Sequence, residues 1–193
     1  MPTLNLILGD QQNQNHPWFK KTDKNQTYAL YETYSEATYT RHHVQKVCAF
    51  YLSMQAFAAA LRAAGHQVIY RTLDETRELQ LETITDNLLY DARELGADTI
   101  RYQLPDEYRL DESLKRLSEN FEGVIEAVDT HHFLSERNYL TDLFAGKKTY
   151  LMETFYRKMR KRHNVMMEAN GEDPLTGKWN YDHDNRGSLP KNI

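Results

Sequence analysis

Cysteine is almost absent from this sequence of 193 residues, in which Cys48 is the only one. A single thiol cannot form a disulfide within the chain. It also cannot supply the ligands of a cysteine-based zinc site or of a four-cysteine iron–sulphur cluster. If redox chemistry takes place, these residues do not supply its metal.

Long apolar runs are also scarce. No run approaches the roughly 20 apolar residues that a membrane-spanning helix needs. The first residues, MPTLNLILGDQQ, lack the basic region and the small-residue cleavage site of a secretory signal. With 40% hydrophobic and 27% charged residues, the composition is typical of one ordinary globular domain. We therefore expect a cytoplasmic protein.

The common phosphate-binding and hydrolytic motifs are missing as well. The sequence contains neither a GxGxxG pattern nor a P-loop, so a standard dinucleotide or P-loop phosphate site is not encoded. It also shows no nucleophile elbow, no recognisable Ser/His/Asp arrangement and no paired carboxylates at an obvious spacing. Hydrolysis by this chain is therefore disfavoured.

Strand-like and helical segments alternate along the first two thirds of the chain. Strands are predicted at Thr3 to Leu8, Gln26 to Tyr34, His66 to Leu73, Thr99 to Gln103 and Val124 to Val128, and helices at 35–64, 78–95 and 111–121. This alternation is typical of right-handed βαβ crossovers. The predicted fold class is α/β, with a Rossmann-like open, mainly parallel sheet and helices on both faces.

The end of the chain is basic and then irregular. Although the net charge is −4, residues 147–163 carry seven Lys and Arg against one Glu, and a short helix is predicted there at about Tyr150 to Arg162. Its cations could face phosphate, or they could form a solvated face or an interface with a neighbouring domain. The Gly-, Pro- and Asn-rich tail favours an α/β domain over 1–165 and a linker over 166–193.

Polar residues follow the first predicted strand directly. In open α/β sheets, ligands bind outside the carboxyl ends of the strands. Gly9 permits a close backbone approach, and Asp10 and Gln11 offer hydrogen-bonding groups. The alternative interpretation is a plain turn in which Asp10 acts as a cap.

Titratable side chains crowd the end of the second predicted strand. They are Glu32, Glu36, Tyr39, Arg41, His42, His43 and Lys46. At helical spacing, Glu36, Tyr39 and His43 share one face that could grip a polar ligand. Alternatively, Glu36 favours the helix N-terminus and the histidines are solvated. A metal site at His42–His43 or His131–His132 is disfavoured, because adjacent helical residues diverge and no convincing third ligand is near.

Five segments together resemble one family, the deoxyribodipyrimidine photolyase-related proteins, which are the bacterial iron–sulphur branch of the photolyase/cryptochrome superfamily. The segments are LILGDQ (6–11), EATYTRHHVQK (36–46), FYLSMQAFAAALRAAGHQVIY (50–70), METFYRKMRKR (152–162) and GKWNYDHDNR (177–186). Five ordered segments at plausible spacings are far more specific than any one alone.

The resemblance is to longer enzymes, and the sequence leaves open whether this chain is part of such an enzyme or a free-standing relative. Family members join an N-terminal α/β antenna domain to a helical domain that holds FAD and a four-iron four-sulphur cluster, and they repair (6-4) pyrimidine lesions under blue light or act as photoreceptors. This chain matches the antenna domain only. We therefore expect it not to be catalytic by itself and to meet DNA only through the full-length parent.

The resemblance also implies a light-harvesting chromophore at the strand ends, 6,7-dimethyl-8-ribityllumazine. By matching position, the resemblance implies that Asp10, Glu36 and Tyr39 contact the ring or the ribityl chain of the lumazine. It also implies that Gly9 and Gln11 line the turn and that Phe50 lies near the lumazine ring. The loop at 12–18 departs from the family pattern. In the GKWNYDHDNR segment, Trp179 is expected to be buried against the α/β domain.

Two further expectations do not depend on this chromophore. The alternative function is a stand-alone α/β domain that binds a nucleotide or another small ligand, because composition and periodicity fit that class equally well. A homodimer is also expected, through the surface that an absent domain would otherwise cover.

Overall fold

The computed structural model describes residues 2–182 and Gly187. The chain divides into two compact units, one reaching to His132 and the other beginning at Phe133. This division falls earlier than the predicted start of the linker after residue 165, which stays a prediction. The last four residues of the GKWNYDHDNR segment lie outside the described residues.

The first unit contains one five-stranded sheet in which every neighbouring pair of strands is parallel. Its strands are β1 (Thr3–Leu6), β2 (Gln26–Tyr31), β3 (Gln67–Arg71), β4 (Thr99–Gln103) and β5 (Val124–Val128). The spatial order is β3-β2-β1-β4-β5. The α/β prediction is therefore confirmed, and the sheet order reverses at β1, which is where such folds bind ligands.

The prediction of one continuous helix over 35–64 is wrong, because this segment contains two helices. They are α1 (Tyr34–Thr38) and α2 (Val44–Ala63). His43 has an extended backbone, and its Nδ1 accepts a hydrogen bond from the Gln45 N–H at 3.2 Å. A side chain that caps the backbone in this way starts a new helix.

The helix predicted over 78–95 is shorter in the structure, as α4 (Ile84–Glu94), and it is preceded by a helix that the sequence analysis did not predict, α3 (Leu73–Glu78). Each begins with a capping box, in which Thr72 pairs with Glu75 and Thr83 pairs with Asp86. The predicted helix over 111–121 begins earlier, as α5 (Tyr108–Lys115), and continues as a 3₁₀ turn at Arg116–Glu119.

Two apolar clusters cover the two faces of the sheet. The first packs α4 and α5 on one face, and the second packs α2 on the other. The buried members of the first are Leu4, Leu6, Leu8, Ala29, Tyr31, Ile84, Leu88, Ala92, Ile100, Tyr102, Leu114 and Leu117. Those of the second are Ile7, Tyr28, Leu30, Met54, Phe57, Ala58 and Leu61. Helices therefore lie on both faces, as predicted.

Among the described residues, α2 alone is long and apolar enough to cross a membrane by length and composition. The sequence had offered no such run. However, Met54, Phe57 and Leu61 of α2 are buried in the second cluster. One packed face is what a layer helix of an α/β fold shows, so no membrane protein is indicated.

The long loop between β1 and β2 is packed by its own aromatic side chains. It contains a 3₁₀ turn at Pro17–Phe19, and the Tyr28 hydroxyl donates to the Trp18 carbonyl at 2.7 Å. His16 is 3% exposed, its Nδ1 accepts from the Trp18 N–H, and its ring lies 4.8 Å from that of His131. Burial, followed by the nearby His131, lowers the pKa of His16 to about 4.

This buried histidine predicts a pH dependence. In the unfolded chain His16 titrates near its ordinary value of 6.5, so below that pH the unfolded state binds the extra proton. Its contribution to stability is therefore lost as the pH falls from about 6.5 to about 4. The free energy of unfolding, measured with urea, should fall between pH 7 and pH 5 by about 1–2 kcal/mol more in the wild type than in His16→Asn. The asparagine keeps a hydrogen-bond acceptor for the turn. Equal losses in the two chains would contradict this prediction.

The second unit contains α6 (Tyr139–Leu143) and α7 (Met152–His163). Most cationic side chains of α7 form ion pairs or hydrogen bonds within this unit. Arg157 pairs with Glu153, Lys161 with Glu172 and Arg162 with Glu136. Arg160 is buried and donates to the carbonyls of Val165, Met166 and Trp179. These contacts make α7 mainly a structural element of its unit.

Trp179 packs on α7, partly exposed, within the second unit. Its ring lies 5.2 Å from the Arg157 guanidinium, 5.3 Å from that of Arg160 and 5.8 Å from the Lys161 ammonium. The contacts of Trp179 are therefore cation–π contacts with a basic helix. The expected burial against the α/β domain stays a prediction.

Candidate functional site

A cavity of about 200 Å³ lies at the carboxyl ends of β1 and β2. Its wall also includes α1, the first half of α2 and the segment after β4. Five of the six predicted ligand residues line it: Gly9, Asp10, Glu36, Tyr39 and Phe50. These residues come from three separate stretches of sequence, and the fold brings them to one place at the point where the sheet order reverses.

Gly9 is needed because α2 approaches the turn after β1 closely. A Cβ at this position would overlap Cε1 of Phe50 and lie 3.0 Å from the Met54 sulphur. The Phe50 ring thus rests on the Gly9 backbone, while 41% of the residue stays exposed. Phe50 forms an aromatic wall of the cavity.

Gln11 does not line the cavity. It is 2% exposed, its Oε1 accepts from the Leu8 N–H at 3.1 Å, and its Nε2 donates to the Gln103 carbonyl at 3.2 Å. Gln11 therefore ties the turn after β1 to the end of β4. The next residue, Gln12, donates to the Gly9 carbonyl and to Ser53 of α2, which holds the turn against the helix.

Asp10 is exposed at the rim of the cavity, and no hydrogen bond or ion pair joins its carboxylate to another described residue. The fold brings it near Asp106, which the sequence analysis did not single out, and near His132, for which the sequence indicated no third metal ligand. One carboxylate oxygen each of Asp10 and Asp106 and one ring nitrogen of His132 lie within 4.8 Å of one another, and Asp106 and His132 form a 2.7 Å hydrogen bond. These residues follow β1, β4 and β5.

Glu36 has a partner that the sequence did not reveal. Arg109, at the start of α5, donates from its two terminal nitrogens to the two carboxylate oxygens of Glu36, at 2.8 and 2.7 Å. A second carboxylate, Glu107, lies 3.4 Å from the same guanidinium. The hydrogen bonds with Glu36 raise the pKa of Arg109, so its charge is fixed. The pair joins α1 to α5 across one side of the cavity.

Tyr39 completes this group. Its ring lies 4.5 Å from the Arg109 guanidinium and meets the His42 ring edge-on at 5.0 Å. Tyr39 is 54% exposed, so the rest of its ring faces solvent and the cavity. The prediction that His43 shares one helical face with Glu36 and Tyr39 is wrong, because α1 ends at Thr38 and His43 caps α2.

Two other titratable side chains near the strand ends form hydrogen bonds within the protein that stabilise the fold. Glu32 is buried and accepts hydrogen bonds from the Tyr70 hydroxyl, the Gln55 amide and the Leu73 N–H. Tyr51 lines the cavity and donates to the Thr33 carbonyl at 3.0 Å. Burial, followed by the charges of Glu32 and Glu36, raises the pKa of Tyr51 to about 12, so this hydroxyl stays protonated.

The site therefore combines an aromatic wall, an open carboxylate and an ion-paired carboxylate. Carboxylates accept hydrogen bonds, and aromatic rings offer faces on which a flat ring can stack. Such an arrangement can bind a planar heterocycle that carries N–H or O–H groups.

Comparison with known proteins places the chain in a family. The family model of the deoxyribodipyrimidine photo-lyase-related proteins matches residues 5–193. A (6-4) photolyase of Agrobacterium fabrum is 32% identical over 187 residues, which are 96% of this chain and 36% of that protein. An uncharacterized protein of Acanthamoeba polyphaga mimivirus is 25% identical over 159 residues, 80% of this chain and 76% of that protein.

The chain thus spans about a third of the length of the (6-4) photolyase that it resembles. The family match, in contrast, covers nearly all of the 193 residues. The chain belongs to the family of deoxyribodipyrimidine photo-lyase-related proteins.

Proposed function

We propose that the cavity at the strand ends binds 6,7-dimethyl-8-ribityllumazine as the light-harvesting chromophore of a photolyase-related protein. The observation that carries the proposal is the convergence of Gly9, Asp10, Glu36, Tyr39 and Phe50 on one cavity. The family resemblance assigns ligand contacts to these same positions from the sequence alone.

The chemistry of the lining residues fits this ligand. The pyrimidine ring of a lumazine carries an N–H group and its ribityl chain carries hydroxyls, so both can donate to carboxylates. The Asp10 carboxylate has no hydrogen-bond or ion-pair partner among the described residues. Glu36 lines the cavity with a carboxylate that also accepts hydrogen bonds from Arg109. Phe50 and Tyr39 supply aromatic faces for the ring system.

The size of the cavity fits a ligand that is only partly enclosed. At about 200 Å³ it is smaller than the roughly 300–1,000 Å³ of pockets that enclose a drug-sized molecule. Tyr39 and Phe50 line it and are 54% and 41% exposed. In the proposed complex the ring system packs against Phe50, and the rest of the ligand extends along the open rim.

The proposal also gives a role to a full-length parent protein. Bound lumazine would absorb near-visible light and pass the excitation to a flavin. In this proposal FAD and the four-iron four-sulphur cluster belong to another part of the full-length parent, because Cys48 alone cannot hold such a cluster. The parent repairs pyrimidine lesions in DNA, with (6-4) lesions favoured by the Agrobacterium relative. The present chain contributes binding and orientation of the chromophore.

The first test is a fluorescence titration of the purified chain with 6,7-dimethyl-8-ribityllumazine. We expect saturable binding of one lumazine per chain and a higher melting temperature in its presence, because a ligand that binds the folded state stabilises it. ATP, as a control ligand, is expected to leave the melting temperature unchanged. Stabilisation by ATP without any effect of lumazine would instead favour the nucleotide-binding alternative.

A further inference from the structure

We infer that Arg109 is a positioning residue of the ligand site, which holds Glu36 as an oriented hydrogen-bond acceptor and Tyr39 as an oriented aromatic wall. The inference rests on the proposed function, since it concerns the same cavity. It assigns to that cavity a ligand that donates N–H or O–H groups to Glu36.

The geometry of the ion pair fixes the carboxylate. Two parallel hydrogen bonds of 2.8 and 2.7 Å leave Glu36 a single orientation relative to the guanidinium plane. A carboxylate has about four lone-pair sites, and the guanidinium uses two of them. The Glu36 side chain is 24% exposed, so it stays accessible to a ligand in the cavity that it lines.

The same guanidinium covers part of Tyr39. At 4.5 Å from the ring centre, it makes a cation–π contact that holds the ring beside Glu36. Tyr39 follows the last residue of α1 and is 54% exposed, so few other contacts hold its side chain. Removal of Arg109 would therefore free two predicted ligand residues at once.

One atom indicates that this arrangement serves more than stability. Nε of Arg109 is buried and, among the described residues, has no hydrogen-bond partner. Buried donors are nearly always paired in folded proteins, and unpaired ones reduce stability. Functional sites are among the places where proteins retain such unfavourable features.

The test is a double-mutant cycle with lumazine fluorescence as the readout. We expect Arg109→Met to weaken binding about tenfold or more and Arg109→Lys to recover part of the loss, because lysine keeps the charge but not the paired geometry. Since Arg109 acts partly through Glu36, Arg109→Met should weaken binding less in the Glu36→Gln background than it does in the wild type, and the remaining effect belongs to Tyr39. The matched control is Lys115→Met on the same helix, which removes the ion pairs of Lys115 with Asp111 and Glu112 outside the cavity and should bind like the wild type.

A second readout does not need the ligand. In the free protein, Arg109→Met is expected to shift the NMR signals of the Glu36 carboxyl carbon and the Tyr39 ring, and Lys115→Met is expected to leave them unchanged. Unchanged Glu36 and Tyr39 signals in folded Arg109→Met overturn the inference, whatever lumazine does. Wild-type binding of lumazine with equal binding by Arg109→Met also overturns it and leaves the proposed function intact. Absence of binding by the wild type contradicts the proposed function itself.

Discussion

Replacement of Asp91 by alanine is expected to lower the free energy of unfolding by about 3–5 kcal/mol, the usual loss when one partner of a buried ion pair is removed. Asp91 is 3% exposed. Its carboxylate accepts from Arg71 at 2.5 Å and from the Tyr31 hydroxyl at 2.7 Å. Arg71 is itself buried and also donates to Asn87. The alanine variant would leave a buried guanidinium with one remaining side-chain hydrogen bond.

The size of this effect follows from the position of the network. Tyr31 ends β2, Arg71 ends β3 and Asp91 lies in α4, so one carboxylate ties two strands to a helix. Burial, followed by the charge of Asp91, raises the pKa of Tyr31 well above its ordinary value, so its hydroxyl remains a donor.

Urea unfolding of the variant measures this loss, and two controls sharpen it. Asp91→Asn keeps an acceptor and should lose less stability. Glu126→Ala removes an exposed ion pair with Arg101 and should cost less than about 1 kcal/mol. If Asp91→Ala were no less stable than Glu126→Ala, the buried network would not hold the strands to α4.

The second large effect concerns the ligand. The double variant Asp10→Ala, Glu36→Ala is expected to bind lumazine at least about 100-fold more weakly than the wild type, since hydrogen bonds to charged groups contribute about 1.5–3 kcal/mol each. The variant should still fold. Asp10 is exposed, and the Arg109 side chain released by Glu36→Ala is 40% exposed, so no charge is left buried. Fluorescence titration and thermal unfolding on the same samples separate binding from folding.

A matched control removes two carboxylates elsewhere in the same unit. Glu112 and Glu126 each form a surface ion pair and do not line the cavity. Glu112→Ala, Glu126→Ala should therefore bind lumazine like the wild type. Equal weakening in both double variants would mean that overall charge, rather than the cavity, governs binding.

Much of the sheet was predictable from sequence. The bounds of β4 and β5 are the predicted ones, because turn residues such as Gly96, Pro105 and Gly123 flank both short segments. The two long helices were wrong for a local reason. Helical periodicity continued across His43 and Thr83, yet both side chains cap the backbone and begin new helices.

The site was less predictable, because its decisive contacts span long stretches of sequence. The Glu36–Arg109 pair joins residues 73 positions apart. Arg109 lay in a stretch for which no element was predicted, directly after β4. Asp106 and His132 approach Asp10 only because β1, β4 and β5 are neighbours in the sheet. A search of the residues that follow β4, at the point where the sheet order reverses, would have found Arg109 and Asp106.

A crystal structure of the chain grown with 6,7-dimethyl-8-ribityllumazine tests the central claim most directly. The proposal predicts the ring system against Phe50 at the carboxyl ends of β1 and β2, with hydrogen bonds to Asp10 and Glu36 and with Arg109 still paired to Glu36. Lumazine bound elsewhere on the chain, with this cavity unchanged, would contradict it.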